Sequence, residues 1–120
     1  MTEGEIEDFR KMVAQLDALH QEMTAATKRG ADKPINAFKV RLANSILTQA
    51  DHVLGDAKPA LGFKSFDEND LPTASDVSFI VTQYVECAEK VRQENIEKHY
   101  DNVWYWKKTG MVTTPPKASR

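Results

Sequence analysis

The stretch spanning residues 73–106, TASDVSFIVTQYVECAEKVRQENIEKHYDNVWYW, decides the fold because its first half can be read two ways. Residues 77–85 are rich in β-branched side chains, which are enriched in strands. Its period argues for a helix instead: Val77, Ile80, Val81, Tyr84, Ala88 and Val91 fall on one helical side, at steps of three and four. Thr73 and Asp76 have the spacing of a capping box directly after Pro72. With no turn signal read before residue 107, the segment is taken as one long helix.

Past Val91 the apolar pattern moves. Asn95, Lys98 and His99 occupy the positions that would continue the stripe, while Ile96, Tyr100, Val103 and Trp104 gather on a side turned by more than 100° at helical spacing. Either the chain covers these residues, through the preceding loop, the first helix or a kink, or the helix outruns the bundle and presents a contact face. In the second reading the partner-binding set is Phe79, Ile96, Tyr100, Val103, Trp104 and Trp106. Aromatic side chains next to Lys and Arg are typical interface anchors.

Upstream, TEGE places Thr2 and Glu5 as a second capping box, and Ile6, Phe9, Val13, Leu16, His20 and Met23 recur with a helical period. Lys28, Arg29 and Gly30 end that helix, with Gly30 as a left-handed cap. A second helix opens at DKPIN, with Asp32 as cap and Pro34 in the first turn. Ile35, Phe38, Leu42, Ile46 and Val53 form one apolar row, and Ala43, Leu47, Ala50 and Leu54 form another about 100° away. A face that wide predicts two neighbours. Gly55 closes the helix, and residues 55–72 form a long crossover that Leu61, Phe63, Phe66 and Leu71 pin across the helices. The expected fold is therefore all-α: an antiparallel pair, a partly ordered crossover loop and a long C-terminal helix. Residues 1–108 form one helical domain, and residues 109–120 a flexible basic tail.

The chain of 120 residues carries 16 bases and 18 acids, a net charge of −2, which makes no general electrostatic case for nucleic acid. All the acids precede Lys107, and the last fourteen residues are +4. A second basic segment contains Lys28, Arg29, Lys33, Lys39 and Arg41 around the start of the second helix, where clustered cations and free backbone N–H groups suit phosphate. It either binds nucleic acid or neutralises acids elsewhere in the fold, such as the cluster of Asp67, Glu68, Asp70 and Asp76. That cluster lacks the glycine and final glutamate of a calcium loop. One cysteine, Cys87, excludes an intrachain disulfide and suits a reducing, cytoplasmic setting. No run approaches the roughly 20 apolar residues of a membrane span.

His20, His52 and His99 lie apart in sequence, and no nucleophile, phosphate-loop, dinucleotide or zinc-protease motif occurs. No catalytic residue, metal ligand or cofactor is assigned. The leading expectation is a non-enzymatic interaction protein, an adaptor, regulator or small subunit, that engages a protein partner or its own copy. The alternative is a nucleic-acid-binding helical protein using residues 28–41 and the tail.

Overall fold

A computed structural model describes residues 1–117. The chain forms α1 (Glu3–Gly30), α2 (Ala37–Leu54), a short 3-10 turn (Gly55–Ala57) and α3 (Ala74–Glu94). A small antiparallel sheet follows, with β1 (Ile96–Lys98), β2 (Trp104–Trp106) and β3 (Val112–Thr113) in the order β1-β2-β3. The protein is thus mostly helical, as expected, but not purely α.

The helix starts follow their local chemistry. Both capping boxes form, Thr2 with Glu5 and Thr73 with Asp76. The start of α2 differs from expectation. Asn36 is its cap, accepting a 2.8 Å hydrogen bond from the Lys39 backbone N–H. Asp32 and Pro34 precede it because residues 33–35 pair with 72–74 instead. The Ile35 N–H donates to Pro72 O (3.0 Å), and the Ala74 N–H donates to Lys33 O (2.9 Å). Gly30 remains helical and Ala31 is the cap residue, so no left-handed glycine ends α1. Gly55, at φ 56°, does close α2.

Cross-links fix the directions of the helices. Lys39 reaches Glu22 near the α1–α2 turn, and Leu42, Ser45, Ile46 and Gln49 border a groove with Asp8, Lys11, Met12 and Gln15, so α1 and α2 are antiparallel. Asn36 and Thr73 begin α2 and α3 side by side, and Tyr84 donates to Asp51 Oδ1 at 2.6 Å, so α2 and α3 run the same way. A parallel pair needs a long return, which residues 55–73 supply. Asn44 grips that return at Phe66 from both sides, donating to its carbonyl (2.9 Å) and accepting from its N–H (2.8 Å). Phe63 and Phe66 pack with ring centroids 4.7 Å apart.

The core combines Ile6, Phe9, Met12, Leu16, Leu19 and Met23 of α1 with Val40, Ala43, Leu47 and Ala50 of α2, and Val77, Val81, Tyr84 and Ala88 of α3. The β-branched run is helical because its every-third-or-fourth positions bury against this core, and tertiary packing outweighs local strand preference.

The largest departure is the end of α3. It stops at Glu94, and Asn95 turns the chain by bonding the Val91 carbonyl through its side chain (2.7 Å) and the Arg92 carbonyl through its N–H (2.9 Å). Residues 96–106 form a hairpin in the register Ile96↔Trp106, Glu97↔Tyr105 and Lys98↔Trp104. Asp101 accepts from the Val103 N–H (2.9 Å) and from the Tyr105 hydroxyl (2.7 Å), and Asn102 takes the left-handed conformation at φ 65°. Asp and Asn suit such a turn because their side chains bond nearby backbone and tolerate that region. A second turn, with Lys108 and Gly110 both at φ 71°, brings β3 alongside β2.

Candidate functional site

The hairpin redistributes the aromatic residues expected on one helical face. Trp106 is 2% exposed and meets Phe9 edge-on, with ring centroids 5.8 Å apart. Ile96 is also core, while Val103 and Trp104 are half-buried. Tyr100 lies fully exposed in the loop joining β1 to β2, and Phe79 is 60% exposed. Phe79 sits fifteen residues before the end of α3, about 22 Å along it at 1.5 Å per residue, beside Phe63, Phe66 and Leu71. The six residues therefore do not share one helical stripe: the backbone turns at Asn95 before the second stripe begins.

The basic segment is partly spent within the fold. Lys39 contacts Glu22 at 2.7 Å, and Arg41 contacts Glu68 at 3.2 Å. Lys28, Arg29 and Lys33 stay exposed, and Arg29, Lys33 and Lys39 border a hollow of about 340 Å³ at the start of α2. The acidic cluster resolves into separate tasks. Asp67 accepts from the Asn69 N–H, Glu68 pairs with Arg41, and Asp76 completes the α3 cap. Among the described residues, no three His, Cys, Asp or Glu side chains group as a metal site. Cys87 is half-buried, and burial pushes its thiol pKa up, away from the reactive thiolate.

Two surfaces remain. The first is the outer side of α2. Of the two apolar rows, Ala43, Leu47, Ala50 and Leu54 are buried, while the other is split: Ile35 is core, Ile46 and Val53 are half-buried against the core, and Phe38 (62% exposed) and Leu42 (47%) face outward. Ser45 and Gln49 lie among them. Each formal charge of the helix is engaged inside the molecule, Lys39 with Glu22, Arg41 with Glu68, and Asp51 with the Tyr84 hydroxyl. Burial, followed by the bond to Asp51, holds the Tyr84 hydroxyl far above its ordinary pKa, so it stays a donor. The outward face is left with apolar, hydroxyl and amide groups over about 22 Å of helix.

The second surface is a cleft of about 520 Å³ between α1, α3 and the C-terminal segment. Phe9, Val13, Val85 and Ala88 line it, with Trp106 in its wall. Arg92 closes one side. It is buried, and all its N–H directions are used. Nε and Nη2 donate to the two Glu89 oxygens (2.7 and 3.1 Å), Nη1 donates to Thr113 Oγ1 and Thr114 O (3.3 and 2.8 Å), and Nη2 also donates to Pro115 O (2.7 Å). Burial opposes ionisation of Glu89, but the bonds from Arg92 and from the Lys117 N–H outweigh it and keep the carboxyl below its usual pKa. Residues 112–117, expected within a flexible tail, are thus strapped to α3. The last three residues of that tail, 118–120, lie outside the described residues.

No protein-family model, curated protein or solved structure matches this chain. Its chemistry rests on the geometry above. The sequence pointed toward the aromatic end; the wide apolar face of α2 does meet two neighbours, α1 and α3, and leaves only Phe38 and Leu42 of its second row outside. The cleft had no sequence signal, because its walls meet only when residues 112–117 return along α3.

Proposed function

We propose that this protein is a non-enzymatic interaction module that docks through the outer face of α2, with a second copy of itself as the first partner. One observation carries the reading: a solvent-facing helical stripe with Phe38 and Leu42 exposed and no formal charge, in a chain whose charged residues make up 28%. An apolar stripe can meet its own copy across a twofold axis, with Asp8 and Lys11 of α1 along its border. Antiparallel pairing of two such faces sets Phe38 of one copy near Val53 of the other. Groups that expose contiguous apolar surface are usual sites of association. A cytoplasmic setting accords with the single half-buried thiol.

The test is the solution mass of wild type and Leu42→Glu by light scattering and sedimentation across a concentration series. The expected result is a wild-type dimer that Leu42→Glu converts to a monomer, with an unchanged helical circular dichroism spectrum. A monomeric wild type at high micromolar concentration would refute self-association. A second reading, phosphate-backbone binding at the hollow formed by Arg29, Lys33 and Lys39, is favoured by that clustering alone. It predicts RNA or DNA affinity that falls steeply with salt and is lost in Arg29→Ala/Lys33→Ala.

A further inference from the structure

We propose that the cleft between α1, α3 and the C-terminal strap binds a small amphipathic anion, an aliphatic chain ending in a carboxylate. This is independent of docking through α2. The volume, about 520 Å³, lies within the roughly 300–1,000 Å³ of small-molecule sites, and such sites combine apolar walls with a few polar groups. Phe9, Val13, Val85 and Ala88 supply the apolar wall. The polar groups divide into those already used and those available. Glu89 and Arg92 satisfy each other and the strap, so neither serves a ligand. Arg10 and Lys117 stand exposed at the mouth, and among the described residues neither side chain forms an ion pair. Asp17 is seven residues further along α1, about 10 Å away, and marks the opposite end of the cleft. The free charge at the strap end is therefore positive, and it selects an anionic head with an apolar chain running toward Val85.

A second observation comes from the wall itself. Trp106 Nε1 is buried and has no hydrogen-bond partner. A buried N–H without an acceptor costs about 1–3 kcal/mol, and such orphans in native folds call for a specific reason. Here the indole belongs to the wall of the cleft, so its unsatisfied N–H marks this wall as the place where the fold departs from full bonding, and its resonance reports on occupancy of the cleft.

The experiment titrates decanoate, and decanol as its uncharged counterpart, into ¹⁵N-labelled full-length protein below the micellar range. Indole N–H resonances and circular dichroism are followed together. The expected result is a saturable shift of the Trp106 indole signal by decanoate at submillimolar concentration, with decanol binding at least tenfold more weakly. Arg10→Glu, at an exposed position, should weaken decanoate at least tenfold and leave decanol unchanged. Val13→Trp should fill the cleft and abolish both. Leu42→Glu should bind decanoate like wild type. No saturable Trp106 shift up to millimolar decanoate would overturn the proposal. So would Arg10→Glu with unchanged affinity, or a loss of binding in Leu42→Glu, which would locate the ligand on α2 instead.

Discussion

Replacing Arg92 with methionine tests how the C-terminal strap is held. The side chains of Arg92 and Glu89 are 10% and 15% exposed, so their pairing is largely shielded from water. Removing one partner of a buried pair costs about 3–5 kcal/mol, mostly because the remaining charge is stranded. Residual exposure lets water reach Glu89, which places the cost at the lower end, about 3 kcal/mol. For a chain of this length that corresponds to a melting-point drop of roughly 12 °C. The carbonyls of Thr114 and Pro115 lie on exposed residues and can turn to solvent, so their loss adds little. It follows that Glu89→Met combined with Arg92→Met should recover most of the global stability while leaving the strap unheld. Urea denaturation gives the first quantity, and amide exchange over residues 112–117 gives the second. A single variant Arg92→Met within about 1 kcal/mol of wild type would refute the argument. So would a double variant as unstable as the single one.

Two further outcomes follow from the same region. Trp106→Ala should cost about 3–5 kcal/mol as a large core deletion, whereas Tyr100→Ala at the exposed loop between β1 and β2 should stay within about 0.5 kcal/mol, both read from urea melts. Acid should loosen the strap and the hairpin. Glu89 and Asp101 have depressed pKa values in the fold, so their contribution is complete above the unfolded values of 4.5 and 3.8 and is lost as pH falls through the lower folded values. Amide exchange of residues 101–117 should therefore speed up below about pH 4, and Glu89→Gln should flatten that dependence for the strap. Unchanged protection at pH 3 would contradict it.

The helices were legible because their signals are local and repeated. Thr2 with Glu5 and Thr73 with Asp76 announce two starts, and the spacing from Val77 to Ala88 outweighs the strand preference of its residues. The hairpin was missed for a specific reason. Ile96, Tyr100, Val103 and Trp104 also fit a helical spacing, so the change of stripe looked like a rotation of one helix. The contrary signals were small: Asn95, the adjacent Asp101 and Asn102, and the strand-favouring run of residues 103–106. They specify turns, and a turn shows its effect only when a partner strand is present. The α2 start was misplaced because residues 33–35 pair with residues almost forty positions later. The cleft and its strap depend on Arg92 reaching Thr113, Thr114 and Pro115, a contact that neither composition nor period encodes.

The meeting of Phe9 with Trp106 bears on the order in which this chain is assembled during synthesis. The partners are ninety-seven residues apart, and closing so long a span carries an entropic cost that is repaid only at the end. When residue 95 leaves the ribosome, the sequence of all three helices exists, yet Phe9 has no indole above it and Arg92 has no strap carbonyls to bind. The bundle then presents an open apolar seam between its first and third helices. Translation of the next twenty residues supplies both the aromatic lid and the segment that Arg92 captures. A nascent chain paused between these two points is the form of this protein most exposed to misassembly with another copy, or to capture by a chaperone.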